Sequence, residues 1–292
     1  MILIGENIQI LSKVVSEALS GRNAGPLQEL AKEQAKAGVH WIDLNIGPAR
    51  KNPTETMSWL VNNIQEVVEL PLVLDTTNTV AMEAGLAICR QKPLINSAAG
   101  TQESKEKMMP LAKKYGSNVV ISVLNDAGIP SDAPSRAESI METIDYANSI
   151  GIPNEDIWVD PIMLPIGVSQ SDVLEVIEFV GMLPDIAPGV KSTIGLSNLS
   201  NGVPRDLRHI INQVAIVILG KAGLYSAIVD SFDKELVALN AGKEQEIINI
   251  ILRVMDGEDL DMAAMSPVER NYYKTARVIM GRELYSPSWL EI

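Results

Sequence analysis

Apolar residues recur along this chain in two rhythms. Short apolar-rich runs, bounded by polar residues, glycine or proline, read as strands at 1–4, 39–44, 72–74, 94–95, 118–123, 157–159, 191–194 and 227–229. Between them, apolar positions return every three or four residues, the period of a helix that buries one face. A helix over 26–36 has Asn23 as candidate cap, Leu27, Leu30 and Ala31 on its inner side, and Gly38 to close it. Asn52 and Pro53 open another as cap and first-turn proline, followed by Met57, Leu60, Val61, Ile64 and Val68. Further helices are expected over 80–89 and 104–115, and behind a Ser135/Glu138 capping box ahead of Ile140, Ile144 and Ala147. Two more are expected over 172–179, after a crossing loop at 163–169, and around 210–219.

Eight strands, seven of them followed by a helix before the next, with starts roughly 20 to 40 residues apart, predict an α/β fold: a closed (β/α)8 TIM barrel. An open doubly wound sheet is the alternative, but the first strand leads into Gly5-Glu6-Asn7-Ile8-Gln9 and not into a Gly-x-Gly-x-x-Gly turn. Helical stretches at 234–239, 244–254 and 271–279 follow the last strand, the final one opened by Ser266, Pro267 and Glu269 as cap, first-turn proline and capping-box acid. The expected organisation is a barrel over residues 1–232 and a C-terminal helical extension over 233–292, packed on the barrel wall or at a dimer interface.

The predicted strands share a polar ending. Ile42-Asp43-Leu44-Asn45, Leu74-Asp75, Ile95-Asn96, Val159-Asp160-Pro161 and Val229-Asp230 each close an apolar run with Asp or Asn. In a parallel barrel the C-terminal strand ends form one rim, where active sites are built. Closure therefore gathers Glu6, Asp43, Asn45, Asp75, Asn96, Asp160, Asn198 and Asp230. Any one of these can simply cap a helix or satisfy a loop amide. As a ring they exceed what capping needs, and carboxylates and carboxamides without nearby lysines suit a flat, neutral heterocycle rich in N–H donors.

Composition narrows the field. The 46% hydrophobic share is ample for a core, and with Phe 2, Trp 4 and Tyr 6 that core falls to aliphatic residues. A net charge of -13 disfavours nucleic acid, and no apolar run reaches the ~20 residues that span a bilayer, so no membrane partner and a cytoplasmic location are expected. The single cysteine, Cys89, follows helical spacing and is expected in the core. A magnesium ion on Asp75 and Asp160 is the competing use of the acids, but the two histidines, His40 and His209, form no ligand motif, so no protein-bound metal is expected. The turns after strands seven and eight, Gly195-Leu196-Ser197-Asn198 and Asp230-Ser231-Phe232, are poor matches to the Gly-rich turns of a phosphate site, and Lys191, near the start of strand seven, is misplaced for Schiff-base chemistry.

The order and spacing of Asp43-Leu44-Asn45-Ile46-Gly47-Pro48, Leu74-Asp75-Thr76-Thr77-Asn78, Ile95-Asn96-Ser97, Val159-Asp160-Pro161 and Gly195-Leu196-Ser197-Asn198 resemble the pterin-binding methyltransferases, and among them the methyltetrahydrofolate:corrinoid/iron-sulfur protein methyltransferases. The resemblance runs from Met1 to about Asp230. It implies a (β/α)8 barrel, a homodimer, and passage of a methyl group between N5 of tetrahydrofolate and the cobalt of a corrinoid (cobalamin) carried by a separate corrinoid protein. It implies that Asp75, Asn96 and Asp160 hydrogen-bond the pterin and that Asn198 reaches toward N5, with Asp160 the next catalytic candidate. Glu6, Asp43, Asn45 and Asn201 complete the expected substrate-binding set. The chain departs from the family at Asn7, where arginine is more usual, at Asn201, where close relatives carry glutamine, and in its longer C-terminal extension. Such changes suit a different corrinoid partner, including one that delivers its methyl group to tetrahydrofolate in an O-demethylase system.

The chemistry calls for alignment and for stabilisation of charge at N5. No acid of raised pKa is expected beside Asn198, so the N5 proton is expected to exchange with solvent. Dihydropteroate synthase, which uses the same kind of pterin pocket, is the runner-up, with Arg205 and Arg208 as the only cations near the strand-seven and strand-eight ends to hold a departing pyrophosphate. A folate-binding barrel without catalysis is the third reading.

Overall fold

The computed structural model describes residues 1–291. Parallel strands β1 (Ile2–Gln9), β2 (Trp41–Asn45), β3 (Leu72–Asp75), β4 (Leu94–Ala99), β5 (Asn118–Ser122), β6 (Ile157–Asp160), β7 (Lys191–Gly195) and β8 (Ser226–Val229) pair in sequence order, and β8 pairs back onto β1. The TIM barrel is therefore closed. Helices α1 (Lys13–Gly21), α2 (Ala24–Ala37), α3 (Pro53–Gln65), α4 (Thr79–Leu86), α5 (Gln102–Tyr115), α6 (Ala133–Ser149), α7 (Asp172–Ile186) and α8 (Arg208–Ala222) alternate with the strands. Helices α9 (Lys234–Asn240), α10 (Gln245–Met255) and α11 (Pro267–Ile279) follow β8. No helix among the described residues is long and apolar enough to cross a membrane.

The two-residue period of a strand sorts its side chains into an outward and an inward row. Leu3, Ile42, Leu44, Leu72, Leu74, Val119, Ile121, Ile157 and Val159 are buried in the main core that joins the barrel to its helices. Ile4, Val73, Leu94, Val120 and Trp158 form a second cluster, with Trp41 and Ile228 packed against it. Trp158 meets Trp41 and Tyr225 edge-on, with ring centroids 5.6 and 5.2 Å away, and Lys191 Nζ lies 5.5 Å from the Trp158 ring. Each of these large side chains contributes about 1.5–3 kcal/mol on burial. Two residues further along the same row stand Asp75 after Val73, Asn96 after Leu94, Asp160 after Trp158 and Asp43 after Trp41. The period that fills the barrel with apolar groups thus places the polar strand ends over that filling.

Several local expectations are corrected. β1 runs past Gly5 to Gln9, with a register shift between Gly5 and Ile8. The buried Gln34 of α2 supports this irregularity, since its Oε1 accepts from Asn7 N at 3.3 Å. α1 is an additional helix, which buries Val15, Ala18 and Leu19. Asn52 precedes α3 in a left-handed conformation, φ 45°, and its side chain caps nothing. α6 is capped by Asp132, which accepts from Ser135 N at 2.8 Å, and not by a Ser135/Glu138 box. At α11 the Ser266/Glu269 capping box is formed as expected. His40 belongs to the N-terminal side of the barrel, where its Nδ1 accepts from Leu3 N at 3.1 Å. Cys89 is half-buried against the core, and burial pushes its thiol up to about 12.

The extension lies on the barrel wall. α10 and α11 pack on each other and on α8, burying Ile250, Ile251, Val254, Tyr272, Tyr273 and Ile279. Its last turns reach the loop after β6, because Gln170 Nε2 donates to Val278 O and Glu283 O, each at 2.6 Å, and its Oε1 accepts from Tyr285 N at 2.9 Å.

Candidate active site

The strand ends fall into two neighbouring groups. On β2, β3 and β4 the register sets Asn45 beside Asp75 and Asp75 beside Asn96. Asn45 Nδ2 donates to Asp75 Oδ2, while Asn45 Oδ1 accepts from Gly47 N at 3.0 Å. Asp43, one step deeper, is buried and bonded by Asn96, and its Oδ1 has no partner in the protein. Burial raises the Asp43 carboxyl well above the usual range, with the charges of Asp75 and Glu6 acting in the same direction. Asp75 is pushed up to about 6 by burial, against the lowering bond from Asn45. Asp160, on the other side of the barrel, is also raised by burial to about 6, although its Oδ1 accepts from Ile162 N at 2.8 Å. These groups give in-plane acceptors over an apolar floor, with carboxyls whose proton affinity is raised toward neutrality by burial, an environment suited to the N–H and ring-nitrogen edge of a heterocycle.

The second group lies where β1, β7 and β8 end. Ser197 Oγ donates to Glu6 Oε1 at 2.6 Å. Burial raises Glu6 to about 7, opposed by that bond and reinforced by Asp230. Asn198 closes the short 3-10 turn Leu196–Asn198, is exposed, and makes no side-chain hydrogen bond among the described residues. Its Nδ2 sits 3.1 Å from where a Cβ on Gly195 would be, so the glycine lets the carboxamide fold back over the end of β7. Glu6, Ser197, Asn198, Asn201 and Asp230 line a cavity of about 780 Å³ that continues to Arg205, Arg208, His209 and Asn212.

The ring expected from the sequence is thus assembled, but it is not uniform. Asp43, Asn45, Asp75, Asn96 and Asp160 stand outside the cavity lining, whereas Glu6, Asn198, Asn201 and Asp230 are part of it. Asp160 and Asp230 also do the modest job of strand-end acids, since Asp230 Oδ1 accepts from Phe232 N at 3.0 Å and from Asn7 Nδ2 at 2.7 Å. The expectation that no acid of raised pKa flanks Asn198 is corrected by Glu6, whose elevation comes from burial that its position in the chain does not reveal. Asn7, Ser197 and His209 are further mouth residues that the strand-end pattern passes over. The polar run Glu6-Asn7 within β1 was the available signal for Asn7. Among the described residues no group of three or more His, Cys, Asp or Glu is placed to hold a metal ion.

The chain is 26% identical over 239 residues to the methylcorrinoid:tetrahydrofolate methyltransferase of Eubacterium limosum, covering 81% of this chain and 88% of that one. It is 28% identical over 257 residues to the methionine synthase of Mycobacterium leprae, covering 84% of this chain but 21% of that much longer protein. The dihydropteroate synthase of Stenotrophomonas maltophilia, solved with imidazole bound in its active site, superposes with a TM-score of 0.65 at 15% identity, over 84% of this chain and 93% of that one. At that identity the likeness is one of fold. Residues 12–230, well over half of the chain and the whole span of strand ends from β2 to β8, match the pterin binding enzyme family, and the chain belongs to that family.

Proposed function

We propose that this protein transfers a methyl group from a methylated corrinoid protein to N5 of tetrahydrofolate. The observation that carries the reading is the unpartnered Asn198 carboxamide beside a Glu6 carboxyl raised to about 7, next to the acceptors of β2, β3, β4 and β6. The direction of transfer is supported by the Eubacterium limosum relative, whose name states it and which aligns over most of both chains.

In this reading Asp75, Asn96 and Asp160 fix the pterin by its N–H groups and ring nitrogens, and Asn45 holds the Asp75 carboxylate toward the ligand. The N5 lone pair forms the new bond to the methyl carbon, the carbon–cobalt electron pair stays with the metal of the substrate protein, and N5 sheds its proton. Positive charge therefore develops at N5. The Asn198 oxygen accepts from the N5 hydrogen in a bond that strengthens as that charge grows, which lowers the barrier more than it favours the ground state. Glu6, part carboxylate at neutral pH, takes the proton.

Dihydropteroate synthesis is the second reading, favoured by Arg205 and Arg208 on the cavity wall, where a departing pyrophosphate would need cations. Two anaerobic incubations separate them. Methylcobalamin with tetrahydrofolate is expected to give methyltetrahydrofolate, while hydroxymethyldihydropterin pyrophosphate with p-aminobenzoate is expected to give nothing. The reverse outcome would establish the synthase.

A further inference from the structure

The cavity beside Asn198 extends beyond what the ring chemistry uses. Its volume of about 780 Å³ is that of a site for a whole elongated ligand, well beyond a bicyclic ring. Past Asn198 its wall is made by the 3-10 turn Arg205–Leu207 and the first turns of α8, which contribute Arg205, Arg208, His209 and Asn212. In a chain of net charge -13, Arg22, Arg136, Arg253 and Arg277 are all committed to carboxylates. Arg205 and Arg208 form no ion pair among the described residues. Arg205 is exposed, and Arg208 uses only its Nε, donating to Val203 O at 3.1 Å, so its terminal nitrogens remain available.

The acids on the same wall leave these guanidinium groups unpaired. Asp233 accepts twice from Gln213 Nε2, at 2.8 and 3.0 Å, and from Leu236 N at 2.9 Å as the cap of α9, while Glu235 is exposed. Asn212 completes this part of the wall. The wall therefore presents two guanidinium groups free to take carboxylates.

We propose that this end of the cavity binds the γ-linked glutamate tail of the folate substrate, Arg205 and Arg208 taking the carboxylates. The assignment rests on the reading of the strand-end ring as a pterin site and extends it to a preference for polyglutamylated substrate.

Calorimetric titration of the full chain with tetrahydrofolate bearing one or five glutamates, and with tail-less 6-methyltetrahydropterin, tests it. The pentaglutamate is expected to bind about tenfold more tightly than the monoglutamate, with the gain shrinking as salt is raised. In Arg205→Gln, which removes no bond within the protein, and in Arg205→Gln/Arg208→Gln, the gain is expected to fall to within about threefold. Equal affinities for one and five glutamates in the wild type, or a gain undiminished in both variants, would overturn the proposal while leaving the ring site standing. Failure of the tail-less pterin and the monoglutamate to bind at all would overturn the pterin reading and the tail site with it. Competition by inorganic pyrophosphate without any glutamate effect would assign the arginines to a pyrophosphate and overturn the tail site alone.

Discussion

Asp75 is the residue whose charge should matter most to the ring, because Asn45 orients it and Asn96 stands beside it across the sheet. Asp75→Asn keeps the shape but exchanges a charged acceptor for one that also donates. Calorimetry is expected to show tetrahydrofolate binding weakened by about 1.5–3 kcal/mol, the usual worth of a bond to a charged group, and unchanged affinity would return Asp75 to loop support. Glu6 carries a pH signature with a definite sign. Its folded pKa, about 7, lies above its ordinary 4.5, so the folded state holds this proton more tightly than the unfolded chain does. The contribution to stability is full below pH 4.5 and is lost as pH rises through about 7. Glu6→Gln lacks this loss. Between pH 4.5 and 8, urea titrations should show the variant gaining on the wild type by roughly 3 kcal/mol, and a constant difference would mean that the Glu6 carboxyl titrates normally.

Among the elements, the loop after β6 has the most to reveal. It follows Asp160 and is held from behind by Gln170, whose three bonds to the end of α11 and the segment beyond tie it to the extension. Gln170→Leu removes those bonds, so amide exchange in residues 161–169 is expected to quicken and KM for tetrahydrofolate to rise about threefold or more, with kcat less affected. Unchanged exchange and KM would show that the loop holds itself. The existence and order of the strands and of the helices other than α1 were legible because most strands carry an apolar run and most helices keep a clear spacing, as in Met57, Leu60, Val61 and Ile64. Polar residues inside strands were not legible: β1 continues through Glu6 and Asn7, where Gln34 of α2 bonds Asn7 N and Ile8 and Gln9 pair with β2, contacts between distant segments. The cap at Asp132 was passed over for Ser135 and Glu138, since the same short stretch offers two cap-like residues and only the position of Pro134 in the first turn decides between them. The strand-end acids were readable as a ring because the barrel's topology places them. Their raised pKa values, and the linking of Glu6 to Ser197 across β1 and β7, depend on burial and packing that spacing does not carry.

At the scale of the whole molecule, the extension and the barrel are joined at the site as well as at the wall. Tyr272 OH donates to Gln213 Oε1 at 2.7 Å, and the same Gln213 holds Asp233 on the cavity wall. With α10 and α11 covering α8, thermal unfolding of the full chain is expected to be one transition, and a separate earlier transition of residues 233–292 would contradict that coupling. The central claim, that the assembled barrel moves a methyl group to N5 with Asn198 stabilising the charge that develops there, is tested most directly by a single turnover. Enzyme saturated with tetrahydrofolate is mixed anaerobically with methylcobalamin, and the cobalt(I) spectrum is followed against methyltetrahydrofolate formed. The account predicts equal amounts of both products, and a rate lowered about 10²-fold or more in Asn198→Ala, equivalent to roughly 2.7 kcal/mol, with a clearly smaller change in folate affinity. Absence of cobalt(I) in the wild type, or a near wild-type rate in Asn198→Ala, would contradict it.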